Sequence, residues 1–261
     1  MERLDKYIPK EYLALKINYC RKQLEELPEI KRSEILVAGK PRCCISANSH
    51  RYLLDSPKGK EFLQLCLERD RLNRELELYE AVWHAHFRGD TSGFEPHRVI
   101  RSMKVSDNSQ VILNKAFFDN LKNDDNDKYQ KYPSNFFDGI YYRSAAERDI
   151  AEYYTDIGIP FKYEPKIWIA GLNNPINPDF VLYIRELDTC KFHEHLGMKS
   201  SVDYLRDTKI KYINYTNAGL IPGTDILFTY DTDDMPFDIR GLEVKLNSAV
   251  FITSLCKMYI S

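Results

Sequence analysis

The chain has 261 residues, 43% of them hydrophobic, which is enough for one large domain or for two smaller ones. Its formal net charge of -2 excludes a global positive field, so any contact with nucleic acid must be local. The sequence shows no CxxC pair, no secretory leader and no apolar run of about 20 residues, so we expect a cytoplasmic protein without a membrane span.

The first half of the chain is predicted to be mainly helical. Apolar residues at helical spacing indicate one helix over residues 10–27 and a longer one over residues 59–83. Between them, two β-prone runs in residues 34–54 predict a small hairpin.

The predicted hairpin is rich in basic residues. Lys40, Arg42 and Arg51 are its candidate contacts with nucleic acid, because phosphates attract clustered positive charge. An ordinary solvated face is equally compatible with this pattern.

A polar segment separates the two halves of the sequence. Residues 104–136 lose periodicity and include the run 123–127, which is typical of a loop or linker. We therefore expect a mainly helical N-terminal region over residues 1–135 and a second domain over residues 136–261.

The second half predicts an α/β domain with the order α-β-β-β-α-β. Ser144 can cap a helix that ends near Gly158. The elements that should follow are extended runs at 161–169, 176–184 and 190–196, a helix over about 201–218 and a strand at 225–230.

Two acidic residues are placed symmetrically about the predicted turn between the second and third of these strands. In an antiparallel pair centred on that turn, Asp179 and Glu194 lie opposite each other, with Cβ atoms about 4.5 to 5.5 Å apart. The neighbours on their face, Val181, Phe192 and Leu196, are apolar, so water would screen the repulsion poorly. A divalent cation would relieve it, and hard oxygen ligands suit Mg²⁺ or Mn²⁺. A surface hairpin with solvated carboxylates is the alternative.

Glu147 supports two interpretations. It lies at the start of the predicted helix, on the face that packs inward, which directs it toward the sheet. It also stands three residues after Ser144, as the acidic member of a capping box.

Several short motifs in the second half occur in the order of a known nuclease superfamily. They are Arg143-Ser144 with Glu147, Tyr163-Glu164-Pro165, Pro178-Asp179-Phe180, Glu194-His195-Leu196-Gly197, and the later Tyr204, Lys211, Tyr215 and Gly219. In this order the chain resembles the PD-(D/E)XK nuclease superfamily, as an EHxG-type variant similar to RecB-like nuclease modules. The match covers roughly residues 140–230.

The resemblance implies a restriction-endonuclease-like core, in which a mixed central sheet is flanked by helices. It also implies a metal-dependent nuclease that hydrolyses phosphodiester bonds, with DNA favoured over RNA and endonuclease action favoured. By this resemblance, Asp179 and Glu194 occupy the positions that bind the metal, and Glu147 occupies the position that supports it through water. The backbone carbonyl of His195 is a further candidate ligand. A homodimer or a protein partner is compatible with the sequence.

One position departs from the family pattern. The usual lysine two residues after the second acidic residue is Leu196 here. Lys211 is the candidate replacement, because it shares a helix face with Tyr204 and Tyr215 that can face the site. A lysine there would offset the charge that develops on phosphate. A solvated helix lysine is the alternative.

Two other functions are compatible with these residues. Because Leu196 stands where the family usually has a lysine, the chain could be a catalytically inactive nuclease-like protein that binds nucleic acid or a protein partner. A zinc enzyme could use His193 and His195 as an HxH pair. Because side chains alternate along a strand, both histidines should lie on the face opposite Glu194, which disfavours a shared metal.

Overall fold

The fold is described from a computed structural model of the chain, which divides into two compact units. The smaller unit comprises residues 13–95, and the larger unit comprises residues 1–12 and 96–261. The residues that the structure describes are 8, 10–47, 49–94, 100–107, 109–126, 128–197, 202–232 and 234–255.

The expected boundary near residue 135 lies inside the larger unit. Residues on its N-terminal side belong to the core of this unit, since Met103, Leu113 and Phe118 are buried in the same cluster as the central strands. The backbone of this segment is also bonded to them, with Cys190 N donating to the carbonyl of Leu113 at 2.9 Å. The described part of the polar run, residues 123–126, is therefore a loop within one unit.

The smaller unit combines two helices with one small sheet. Its elements are most of α1 (Lys10–Glu26), β1 (Ile30–Val37), β2 (Lys40–Ala47), β3 (His50–Leu53) and α2 (Pro57–His86). The strands form an antiparallel sheet in the order β1-β2-β3, so a third strand extends the predicted hairpin. Helix α2 begins at a Ser56 cap, whose hydroxyl accepts a hydrogen bond from Gly59 N at 3.0 Å.

The three candidate basic residues of this sheet share one face. Arg51 is paired with Ser46, and side chains alternate along a strand, so Lys40, Arg42 and Arg51 point to the same side. All three are exposed. We call these three residues the basic face.

The larger unit carries the predicted α-β-β-β-α-β order between α4 and β11, and its α/β class is confirmed. Its elements are β4 (Ser102–Lys104), β5 (Gln110–Ile112), α3 (Lys115–Asn120), β6 (Phe136–Phe137), β7 (Ile140–Tyr141), α4 (Ala145–Asp156), β8 (Phe161–Tyr163), β9 (Phe180–Ile184), β10 (Thr189–Gly197), α5 (Val202–Asn217), β11 (Ile226–Asp231) and α6 (Ile239–Leu255).

The central sheet of the larger unit is mixed, with the strand order β11-β10-β9-β8. Strand β10 is antiparallel to β9 and parallel to β11. All five residues of β9 and the first eight of β10 are buried, so both faces of these strands are covered.

The first predicted extended run is shorter than expected. Strand β8 ends at Tyr163, because Glu164 adopts a left-handed backbone conformation with φ 41 and Pro165 follows. Beyond this bend, Ile167 forms a single bridge with Ile176.

Among the described residues, no helix has both the length and the apolar character required to cross a bilayer.

The packing of β10 predicts a large loss of stability in Phe192→Ala. The Phe192 side chain is fully buried next to Phe117 and Tyr215, so truncation leaves a cavity costing about 3 to 5 kcal/mol. Urea unfolding should show this loss, whereas Phe136→Ala, at a 51% exposed position, should change stability by less than about 1 kcal/mol. Equal effects at both positions would contradict the described core.

Candidate active site

The strand register brings Asp179 beside Glu194. His193 pairs with Phe180, and one further step of this antiparallel register joins Glu194 to Asp179, as the symmetry about the turn predicts. The backbone N of His195 donates to Oδ2 of Asp179 at 2.7 Å, which ties the start of β9 to β10. Both carboxylates are only 1% exposed, so they are neighbours in a dry environment.

Their expected apolar neighbours are also in place. Val181, Phe192 and Leu196 are all buried in one hydrophobic cluster of the larger unit. A surface hairpin with solvated carboxylates is therefore excluded, and the charge of these groups must be balanced by other side chains.

Helix α5 supplies the partners of Glu194. Lys211 Nζ lies 2.5 Å from Oε2 of Glu194, and the hydroxyl of Tyr215 donates to Oε1. The two residues are four positions apart and share a helix face. Lys211 is thus next to the second carboxylate, although its side chain is 41% exposed. The side chain of Tyr204, which was expected on the same face, lies outside the described residues.

Arg143 links the remaining carboxylates. Its Nη2 lies 2.7 Å from Oδ1 of Asp179 and 3.3 Å from Oε1 of Glu147, and its Nε lies 3.0 Å from Oε1 of Glu164. The ring of Tyr129 lies 5.1 Å from the guanidinium in a cation-π contact. Sequence analysis places Arg143 in a motif but assigns it no role, because its partners come from separate parts of the chain.

Glu147 is tied to this cluster, although Ser144 also caps the helix. The Ser144 hydroxyl accepts from Glu147 N at 3.1 Å, as a cap should. The Glu147 carboxylate does not complete a standard capping box. It accepts from the Tyr163 hydroxyl at 2.6 Å and from Arg143 N at 3.3 Å. Its side chain therefore belongs to the acidic cluster.

Glu164 is a fourth buried carboxylate, which sequence analysis does not single out. It is fully buried, and Asn126 Nδ2 donates to its Oε1 at 2.9 Å. Lys131 lies 3.5 Å from its other oxygen. Its backbone N donates to the carbonyl of Asp179 at 3.0 Å, which places it beside β9. Its left-handed backbone is the local signal of an unusual position.

Burial and mutual repulsion dominate the electrostatics of the cluster. Burial, together with the charge of Asp179, raises the pKa of both Glu147 and Glu194 to about 7. Burial alone would lower the pKa of Lys211, but the charges of Glu194 and Asp179 raise it above its usual value. Lys211 is therefore held in its charged form beside Glu194.

Two clefts reach the cluster from solvent, and Tyr129, Arg143 and Lys211 line both of them. The smaller cleft, of about 220 Å³, is also lined by Asp179 and Glu194. The larger one, of about 640 Å³, is lined by residues that include Glu147 and His195. A ligand entering either cleft meets the cluster.

The donor set at the centre fits a hard divalent cation. Asp179 and Glu194 offer carboxylate oxygens, the His195 backbone offers a carbonyl, and Glu147 could act through water. Within the described residues no group of three His, Cys, Asp or Glu side chains is arranged to hold a metal. Such an ion would therefore need ligands from backbone and water, and it would have to replace Arg143 at Asp179.

The imidazole rings of the two histidines of β10 lie on the strand face opposite Glu194. His193 is fully buried, and its ring nitrogens contact the hydroxyls of Tyr154 at 2.7 Å and Thr229 at 2.8 Å. His195 Nδ1 contacts the same Thr229 hydroxyl at 2.9 Å. Burial lowers the pKa of His193, so this residue is a neutral member of the core. These contacts give the zinc alternative no support.

Comparisons with protein-family models, with curated proteins and with solved structures found no match to this chain. The resemblance to the nuclease superfamily therefore stays a prediction from the order of the sequence motifs.

The raised pKa of Glu194 predicts a pH-dependent difference between the wild type and Glu194→Gln. Since this pKa rises from 4.5 to about 7 on folding, the folded protein binds more protons than the unfolded chain between these values. Wild-type stability, measured relative to Glu194→Gln by thermal unfolding in EDTA, should therefore fall as pH rises through this range.

A matched control is Glu61→Gln, which changes an exposed carboxyl on α2. Its stability difference from the wild type should stay constant over the same range. A wild type that gains stability relative to Glu194→Gln between these pH values would contradict the described burial.

Proposed function

We propose that this protein is a metal-dependent nuclease of the PD-(D/E)XK type, which hydrolyses phosphodiester bonds with DNA as the favoured substrate. The observation that carries the proposal is the pair of buried carboxylates, Asp179 and Glu194, with the Lys211 ammonium 2.5 Å from one of them. We propose Mg²⁺ or Mn²⁺ as the cation.

The charge balance of the cluster supports a cation. Four buried carboxylates, Glu147, Glu164, Asp179 and Glu194, face three basic side chains, Arg143, Lys131 and Lys211. Burying an unpaired charge is costly, so an excess of buried carboxylates favours either proton uptake or a bound cation. The raised pKa values of Glu147 and Glu194, about 7 in each case, show that without a cation these carboxyls take up protons more readily than usual.

The elements that carry these residues support the family assignment. Glu147 comes from the first helix of the α-β-β-β-α-β core, Asp179 precedes its second strand, and Glu194 lies in its third strand. Lys211 comes from the helix that follows, at the place where the resemblance predicts a displaced lysine.

The chain's own residues have distinct roles in the proposed reaction. A bound divalent cation supplies Lewis acidity at the phosphate oxygens. Lys211 favours the ionised form of Glu194 against the effect of burial and, being partly exposed, offers positive charge to a phosphate in the cleft. Arg143, once released from Asp179, can bind a phosphate oxygen through its planar guanidinium. Glu147 can accept a proton, since its pKa of about 7 is close to neutral pH.

The central test is cleavage of labelled DNA and RNA by the wild type, Asp179→Asn and Glu194→Gln. Both substitutions preserve side-chain volume, and each should lower the cleavage rate by at least about 100-fold, because each removes a charged ligand. EDTA should abolish wild-type cleavage, and Mn²⁺ should bind the wild type but not Asp179→Asn in calorimetry. Activity that survives in either variant would overturn the assignment.

Lys211→Met tests the displaced lysine, with Lys209→Met as its matched control. Both lysines are on α5, but Lys209 is exposed and does not line either cleft. Lys211→Met should slow cleavage by about 100-fold, since a cation near the phosphate is lost, whereas Lys209→Met should cleave normally. Equal cleavage rates in the two variants would show that Lys211 is an ordinary solvated lysine of the helix.

A nuclease-like protein that binds nucleic acid without cutting it is the second candidate function. The contact between Arg143 and Asp179 favours it, because this guanidinium neutralises the carboxylate without any metal. Nucleic-acid binding by a wild type that neither binds Mn²⁺ nor cleaves any substrate would support this second function over the first.

The basic face of the smaller unit predicts salt-dependent binding. Replacing Lys40, Arg42 and Arg51 by alanine should flatten the plot of log affinity against log salt by about two to three units, since each phosphate contact contributes roughly 0.9 on duplex DNA. The control variant replaces three other exposed basic residues, Lys22, Arg74 and Arg88, by alanine. It should leave the slope unchanged. An unchanged slope in the first variant would assign the basic face to solvent.

A further inference from the structure

The smaller cleft extends beyond the carboxylates into a space with different chemistry. Its charged lining residues are Lys128, Arg143, Asp179, Glu194 and Lys211. The remaining walls are aromatic, apolar and amide groups. They include Tyr129, Pro175, Ile176, Asn177 and Asn214.

Tyr129 gives this space an aromatic wall. Its side chain is 58% exposed, so the ring is accessible from solvent. The Arg143 guanidinium lies 5.1 Å from the ring and limits its motion. A well-positioned and accessible ring beside a phosphate site is suited to stacking on a nucleobase, because every base has a π-face.

Two amide side chains supply polar groups to the same space. Asn214 is half-buried on α5, one turn after Lys211, and its carboxamide has no hydrogen-bond partner among the described residues. The carboxamide of Asn177 is held by bonds from Nδ2 to the backbone carbonyls of Glu164 and Asp125, at 3.1 and 3.3 Å. Its Oδ1 can still accept. A base edge, which presents donors and acceptors side by side, matches such groups.

The size of the cleft limits its occupant. A volume of about 220 Å³ is below the roughly 300 to 1,000 Å³ of most small-molecule sites, which suits one ring system rather than a whole nucleotide. The base would then occupy this cleft, and the phosphate would lie at Arg143 and Lys211, which line the larger cleft as well.

We infer that this space is a pocket for an unpaired nucleobase next to the scissile phosphate, so that the enzyme acts on single-stranded or frayed nucleic acid. The inference rests on the proposed nuclease function. A base in a duplex is paired and stacked, so it could enter only after extrusion, which costs a few kcal/mol. A single strand avoids most of this cost, and single-stranded substrate is therefore preferred.

The first test measures binding of a labelled single-stranded oligonucleotide by fluorescence anisotropy. All proteins carry Asp179→Asn and no divalent cation is added, so that no strand is cut. Tyr129→Ala should weaken binding about tenfold, whereas Tyr129→Phe, which keeps the ring, should stay within about twofold. Tyr132→Ala is the matched control, because Tyr132 is 48% exposed but does not line either cleft. Equal losses in Tyr129→Ala and Tyr132→Ala would overturn the pocket.

The second test removes the base instead of the ring. An abasic oligonucleotide of the same length should bind the Asp179→Asn protein more weakly than the strand with bases does. Adding Tyr129→Ala to this protein should not weaken the binding of the abasic strand any further. Asn214→Ala should likewise weaken binding only of the strand that carries bases. A Tyr129→Ala effect of the same size on the abasic strand would contradict base stacking.

Cleavage by the wild type separates this inference from the function on which it rests. Rates that are higher on single strands than on blunt duplexes support the pocket, and equal rates overturn it while leaving the nuclease intact. Absence of all cleavage, combined with base-dependent binding through Tyr129, would overturn the nuclease and retain the pocket.

Discussion

The contact of one guanidinium with three buried carboxylates organises the larger unit around its cleft. Arg143 binds Glu147 at the start of α4, Glu164 after β8, and Asp179 before β9, so one side chain joins three elements. Without it, three carboxylates would be buried close together without their main counter-charge, which typically costs several kcal/mol. The end of the short strand β8 and the start of α4 therefore both lie next to the Arg143 guanidinium.

The second half of the site is built from the sheet and from α5. The antiparallel register of β9 and β10 sets Asp179 beside Glu194, and Lys211 and Tyr215 cover the latter from the helix. Each of these two neighbouring acids thus has its own basic partner, Arg143 for Asp179 and Lys211 for Glu194, which explains how this concentration of charge is compatible with a folded core. Both basic residues also line both clefts.

Local patterns in the sequence predict much of this architecture. Hydrophobic periodicity places α1, α2, α4 and α5 within a few residues of their observed bounds, and symmetry about a turn predicts the neighbouring positions of Asp179 and Glu194. Patterns of this kind report only on residues close in sequence. Strand β3 and the inclusion of the segment before residue 135 in the larger unit depend on packing between distant segments, which periodicity does not report. Helix α6 is not among the predicted elements, although its buried residues Leu242, Leu246 and Ala249 recur at helical spacing.

The features of the candidate site also fall into two groups, those set by neighbouring residues in the sequence and those set by tertiary packing. The sequence by itself determined which acids face each other, because strand alternation and turn symmetry are properties of consecutive residues. Only the tertiary structure decided that Arg143 is the common partner of the acidic cluster, that Lys211 reaches Glu194, and that Glu164 is buried. Each of these contacts joins residues from different elements, so it exists only once helices and strands have packed together.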